Sequence, residues 1–258
     1  MIIDSHAHLD MEDFDEDRSE VIERALEGGL THIVTVGTDL ESSVKAIELA
    51  EENRSVFATV GVHPHESKSC GKEVLDKLAE LASRRKVVAW GEIGLDYFRN
   101  RSPRQDQIRA FDRQLARARD VGLPVIIHNR DAHDDTLSML KRYGKGENLG
   151  VIHCFSGDPE LARIFMDLGY LISIPGTVTF KNAATIKEVA SGIPLEHMLV
   201  ETDAPFLAPV PKRGKRNEPL YVTHTAGEIA RLRGIDYELL CAETSENTRR
   251  LFRLDQVL

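Results

Sequence analysis

Short runs rich in β-branched residues alternate, eight times over, with longer amphipathic stretches, and few folds satisfy that alternation. The apolar runs predict strands near Ile2–His6, His32–Val36, Phe57–Val62, Val87–Ile93, Pro124–His128, Val151–Phe155, Tyr170–Ile174 and Met198–Thr202. Helical periodicity covers Asp17–Glu27, Leu40–Glu52, Glu73–Arg84, Gln105–Val121, Asp131–Arg142, Pro159–Asp167, Ala183–Ala190 and Thr223–Arg233, with a final stretch at Tyr237–Leu251. Gly28-Gly29, Gly122 and Gly169 stand at helix C-terminal ends, where a left-handed cap favours glycine. A helix between two strands carries the chain back to the same edge, so the strands are expected to run parallel. Eight such units in 258 residues is the count of an α/β, single-domain (β/α)8 TIM barrel, here with a C-terminal helix. A doubly wound open sheet is the runner-up, but no glycine-rich phosphate fingerprint comes after the first strand. No linker, low-complexity segment or short repeat divides residues 1–258.

The formal charge of −9 disfavours broad electrostatic capture of nucleic acid, which uses a basic face, yet leaves room for a local phosphate site. Bound cations would offset part of that negative excess. Cys70, Cys154 and Cys241 are odd in number and widely spaced, which fits a reduced cytosolic protein better than a disulfide framework. Asp4 and His6 interrupt the apolar start, so no signal peptide is expected. No stretch approaches the roughly 20 apolar residues that span a bilayer. A soluble cytoplasmic protein is expected, with no membrane association and no obligatory protein partner.

Barrel enzymes place their chemistry at the C-terminal ends of the strands. Those positions here are His6 and His8 on strand 1, His63 on strand 3, Glu92 on strand 4, His128 on strand 5, His153 on strand 6 and Asp203 on strand 8. Any one of these histidines also reads as a satisfied core or surface residue. The whole set at corresponding positions reads as a site. His6 and His8, two apart on a strand, project to one side and can grip one ion. His6, His8 and Asp203 can hold that ion, His128 and His153 a second, with Glu92 placed to bridge them. A bridging carboxylate suits ions roughly 3.5–4 Å apart, which clamp the attacking and leaving oxygens of a hydrolytic displacement. Imidazole-rich ligation favours zinc, manganese or iron, while magnesium prefers more oxygen and water. The expected cofactor is a pair of divalent cations, Mg2+, Mn2+ or Zn2+.

The segments DSHAHLD, GVHPH, GEIGLDY, HNRDA, HCFSG and ETDAPFLAP, in that order from residue 4 to about 209, resemble the signature set of the TatD family of metal-dependent deoxyribonucleases. The later RGKRNEP segment resembles that family too. The resemblance implies a TIM barrel of the metal-dependent hydrolase superfamily, two divalent cations, and hydrolysis of DNA phosphodiesters, often as a 3′-to-5′ exonuclease. By position it implies that His6, His8, Glu92 and Asp203 bind the first metal, and Glu92, His128 and His153 the second. Many amidohydrolases of the superfamily bridge their metals with a carboxylated lysine. The nearest candidate here, Lys86, begins strand 4 at the wrong end, and Glu92 takes the bridging place.

A water activated by the ions is expected to attack phosphorus, with Asp203 as ligand and local base. Glu201, two residues before Asp203, would face the same side but deeper, either orienting a ligand or water or paired to a structural partner. His63 reads as a phosphate contact or leaving-group acid, or as a structural histidine; His65 lies just beyond it in a loop. Lys212-Arg213-Gly214-Lys215-Arg216-Asn217 is the dense basic segment, and Arg213, Lys215 and Arg216 are candidate phosphate contacts or members of a solvated loop. Arg99, Arg101 and Arg104 offer a second cationic edge, and Tyr97 or Phe98 could stack on a base. His32 and His197 read as structural, His133 and His224 as helical and solvent-facing, and Cys154 as pointing outward under the helices.

The leading reading is therefore a deoxyribonuclease that binds DNA locally at the barrel mouth. A metal-dependent hydrolase of small phosphoesters, amides or lactones is the alternative, because the same centre serves many substrates. A noncatalytic metal-binding protein would have no need of a water-activating cluster with Asp203 intact.

Overall fold

The computed structural model describes residues 1–257. Its strands are β1 (Ile2–Ala7), β2 (Leu30–Thr35), β3 (Val56–Val60), β4 (Val87–Asp96), β5 (Val125–Arg130), β6 (Gly150–Ile152), β7 (Tyr170–Ile174) and β8 (Met198–Val200). They form one sheet in chain order with every neighbouring pair parallel. The ends meet where the Asp203 amide donates to the His6 carbonyl at 2.9 Å and the His8 amide to the Ala204 carbonyl at 2.7 Å. Asp4 ties the same seam, accepting from the Thr202 amide at 2.9 Å and its hydroxyl at 2.6 Å. The sheet thus curls into the expected TIM barrel.

Around it lie α1 (Arg18–Glu27), α2 (Leu40–Glu52), α3 (Lys72–Leu81), α4 (Arg104–Val121), α5 (His133–Tyr143), α6 (Pro159–Leu168), α7 (Ala184–Gly192), α8 (Val222–Arg233) and α9 (Tyr237–Phe252). The Asp39 and Asp158 carboxylates cap α2 and α6 by accepting from the Ser42 and Leu161 amides, both at 2.8 Å. Gly122 and Gly169 end α4 and α6 in left-handed conformation. After α1 it is Gly29, not Gly28, that turns left-handed.

The outer faces of the strands pack with the helices in a large cluster that includes Ile2, Ala7, Trp90, Ile93, Ile127 and Phe165. Inside the barrel a second cluster takes one or more side chains from every strand, among them Ile3, Val34, Phe57, Val88, Ile126, Val151, Leu171 and Leu199. Leu251, Phe252 and Leu254, at the end of α9 and just past it, join that inner cluster and are almost wholly buried. Asn247 holds α9 there by donating to the Leu195 and Met198 carbonyls at 2.7 and 2.9 Å, at the start of β8. The N-terminal end of the barrel is closed by an apolar plug.

Three strand ends shift from expectation in ways that matter for the mouth. β4 continues three residues beyond Ile93 to Asp96, while β6 and β8 end before His153 and Asp203.

Candidate metal centre

Simple alternation from Ile2 would put His6 on the outer face with Ile2, but β1 carries a bulge. Asp4 pairs with Ile33 and Ala7 with Thr35, three steps against two. One extra residue reverses which face the later side chains take. Ala7 therefore packs outward like Ile2, and His6 and His8 turn into the mouth. β4 repeats the device: Trp90 pairs with Val125 and Ile93 with Ile127. Beyond that bulge Ile93 and Leu95 face outward, leaving Glu92, Gly94 and Asp96 to line the inside. Gly94 has φ +141, and a Cβ there would lie 2.0 Å from the His128 carbonyl oxygen, so only glycine lets β4 press this closely on β5. Asp203 turns into the mouth through a left-handed backbone (φ 57), a conformation that aspartate tolerates.

The donor atoms converge. His6 Nε2 lies 3.2 Å from His8 Nε2, 3.4 Å from Glu92 Oε2 and 3.7 Å from Asp203 Oδ1. His8 Nε2 lies 3.4 Å from Asp203 Oδ1 and 3.7 Å from Glu92 Oε2. The other Glu92 oxygen faces His128 Nδ1 at 2.6 Å, His153 Nε2 at 3.2 Å and His63 Nε2 at 3.5 Å. Glu92 thus looks both ways, with one oxygen toward the strand-1 pair and one toward the strand-5 and strand-6 imidazoles. The ligand atoms of His6, His8 and Asp203 form one group that could hold an ion, and those of His63, Glu92 and His128 another. His153 stacks on His6 at 3.7 Å between ring centroids and stands between the two groups.

Partners outside the centre decide which ring nitrogen faces it. The His8 Nδ1 is 3.1 Å from the Val36 carbonyl, which only accepts, so Nδ1 carries a proton and it is Nε2 that would give up its own to turn a lone pair toward a metal. Asp96 Oδ2 accepts from His128 Nε2 at 3.1 Å and from His65 Nε2 at 3.0 Å, freeing His128 Nδ1 for the site. Glu201 Oε1 sits 3.1 Å from His153 Nδ1, an ion-pair contact without an aligned hydrogen bond, and accepts from the Cys154 amide at 2.7 Å.

Charge in the cluster is finely opposed. Burial alone would raise the Glu92 carboxyl, but the imidazoles of His153 and His63 and the His128 hydrogen bond hold it well below the usual range. Asp203 is lowered against burial in the same way, chiefly by His8. Conversely the His8 imidazole, though buried, is raised to about 9 by Asp203, and His153 is raised well up by Glu201 and Glu92. Burial and the charge of His153 lower His6, and burial lowers His63 to about 4. The protons that these buried carboxylates draw onto the imidazoles offset negative charge, a task that divalent cations would take over as the ligands give up those protons. The nitrogen-and-carboxylate donor set suits zinc or manganese readily and magnesium less so.

Other expectations fare differently. Cys154 does not point outward. β6 has ended, its backbone is left-handed (φ 45), and its thiol lies with His153 and Asp203 among ligand-type atoms. Arg216 is already engaged, donating to both Asp17 carboxylate oxygens at 2.7 Å, while Arg213 and Lys215 are exposed and Arg213 lies 4.3 Å over the Phe180 ring. Arg99 is exposed at the β4 end of the mouth, and Arg104 covers Tyr97 at 4.1 Å. His133 and His224 are half-buried instead of solvent-facing. Lys86 binds the Arg54 and Val56 carbonyls at 2.8 and 3.1 Å, far from the mouth end. Sequence reasoning passes over Asp96 and Arg130. Counting by twos, Glu92-Gly94-Asp96 and His128-Arg130, would find both.

A family model described as TatD related DNase matches residues 3–253. A Bacillus subtilis protein named uncharacterized metal-dependent hydrolase YabD is 45% identical over 255 residues, spanning 99% of this chain and 100% of that protein. The 3′-5′ ssDNA/RNA exonuclease TatD of Pantoea ananatis is 37% identical over 259 residues, 98% of this chain and 100% of that protein. The crystal structure of YjjV, a TatD homolog from Escherichia coli K12, superposes with a TM-score of 0.91 at 33% identity and covers 98% of each chain.

Proposed function

Because the chain belongs to the family of TatD-related DNases, a metal-dependent hydrolase acting on ester bonds, we propose that it is a deoxyribonuclease trimming DNA from the 3′ end. The observation that supports this most is the two-sided placement of Glu92, one oxygen toward His6 and His8 and the other toward His128 and His153. In this reading His6, His8 and Asp203 hold one divalent ion, His128 and His153 hold the second, and Glu92 serves both. Such a pair, as Mg2+, Mn2+ or Zn2+, supplies Lewis acidity and neutralises charge on the phosphate oxygens.

The chain's own residues do the rest. Asp203, held ionised, accepts at Oδ1 the proton of the attacking water. Glu201 and Asp96 are positioning residues, fixing His153 and His128 so that one nitrogen of each faces inward. His63, its ring kept neutral by burial, would contact a phosphate oxygen or donate to the departing sugar oxygen. Arg99, Arg213 and Lys215 give the mouth local positive charge despite the acidic total. We place the reaction in the cytoplasm; among the described residues no helix is long and apolar enough to cross a membrane.

The test is turnover by purified, metal-defined protein on end-labelled single- and double-stranded DNA and RNA, beside a panel of small phosphoesters and lactones. Laddering from the 3′ end that Glu92→Ala abolishes is the expected result. Turnover confined to the small substrates would overturn the nuclease reading in favour of a small-ester or amide hydrolase.

A further inference from the structure

The rim of the mouth bears two phenylalanines that burial has not claimed. Phe98 is 57% exposed and Phe206 is 48% exposed, and they are the aromatic members of the exposed large apolar side chains. Phe98 comes after β4, two residues beyond Asp96, which meets His128. Phe206 comes after β8, three residues beyond Asp203, with its ring edge-on to His8 at 6.1 Å. With strands in the order β1 to β8 around a barrel, the β4–β5 side lies across the mouth from the β8–β1 side. The two rings therefore flank the donor cluster. Beside Phe98 stands Arg130, two residues after His128 on the same face of β5, its guanidinium carbon 4.0 Å from the ring centroid. Unlike Arg216, Arg130 has no carboxylate partner among the described residues.

Exposed rings and a cation without a carboxylate partner, set around a cluster of metal-ligand atoms, match the chemistry of an unstacked nucleotide chain. Aromatic faces accept any base, and a guanidinium accepts the linking phosphate. Resting on the nuclease reading, we infer that Phe98 and Phe206 stack on nucleobases on either side of the cut linkage, and that Arg130 binds the phosphate beside Phe98. A base already stacked and paired in a duplex cannot reach either ring. The arrangement thus selects single-stranded ends without selecting their sequence.

Binding of a labelled single-stranded oligonucleotide with phosphorothioate linkages at its 3′ end, to the metal-loaded full chain, tests this by fluorescence anisotropy. Phe98→Ala and Phe206→Ala should each raise Kd about tenfold, the lower part of the range for losing one stacked base. An oligonucleotide abasic at its two 3′-terminal positions should bind the wild type correspondingly less well, and on it neither substitution should add a further loss. Phe98→Tyr should restore binding. Arg130→Gln should make the slope of log Kd against log salt shallower by about 0.7, one phosphate contact on a single strand. Both rings are exposed, so the variants should melt like the wild type. Equal losses on intact and abasic strands, or an unchanged salt slope, would overturn the stacking and phosphate assignments while leaving the nuclease reading standing. A wild type that neither binds nor cuts any oligonucleotide overturns both.

Discussion

The two ends of the barrel are built by the same inward-facing strand positions and could hardly differ more. At the N-terminal end Ile3, Phe57, Val88, Ile126, Val151 and Leu199 meet Leu251, Phe252 and Leu254 in an apolar cluster, with His32 and Lys86 against the Phe57 ring at its edge. At the C-terminal end the next inward positions are His6, Glu92, His128, His153 and Glu201, all but His128 almost fully buried. Burying such groups away from water is unfavourable unless each is paired, and even paired groups add little net stability. The apolar end supplies the stability that lets the mouth remain a poor hydrophobic core and a good ligand cluster. The difference predicts that damage at one end should read out as binding and rate, and at the other as stability.

Glu92→Ala should separate the ends most sharply. It removes the carboxylate whose two oxygens face the two imidazole groups, so activity should fall by about a thousandfold or more, the scale of losing a principal charge-stabilising group. Calorimetric titration should show weaker metal binding at the same time. Retention of wild-type turnover would refute the idea that one carboxylate serves both sides. Phe252→Ala, at the other end, should destabilise the fold by ~3–5 kcal/mol through the cavity it leaves, measured by denaturant unfolding. The surviving folded fraction should keep wild-type metal affinity; a loss of affinity would show that the ends are coupled.

Smaller changes probe the same contrast. Glu201→Gln and Asp96→Asn keep shape and remove charge behind His153 and His128, and each should weaken metal binding about 10–100-fold. An unchanged metal affinity would make these carboxylates ordinary buried acids. Arg216→Ala should matter least. Its pair with Asp17 is partly exposed, so unfolding free energy should change by no more than about 1 kcal/mol. A fall in DNA affinity as large as that from Arg130→Gln would return Arg216 to the substrate-binding surface.

Much of this is legible in the residues alone. The eightfold alternation announces the barrel, and the ligand-type residues at strand ends announce the mouth. Helix ends at Gly122 and Gly169 are a matter of backbone freedom. The features that escape are local. Cys154 points elsewhere than expected because period-two alternation stops with β6 at Ile152. Asp96 escapes because β4 runs three residues longer than its apolar content suggests, its later pairs with β5 carrying Gly94, Leu95 and Asp96 opposite His128, Asn129 and Arg130. Arg216 looks like a free cation in the sequence because its partner, Asp17, lies far away in the chain.

Residue type and hydrophobic period are local properties, so the chain's order of residues is enough to say which chemical groups the barrel carries and on which strands. Where those groups point is a tertiary matter. The bulges in β1 and β4 are shifts of register against β2 and β5, and register exists only once strands pair. Each extra residue turns the side chains after it from one face of the sheet to the other, and so brings His6, His8 and Glu92 to the inside where Asp203 waits.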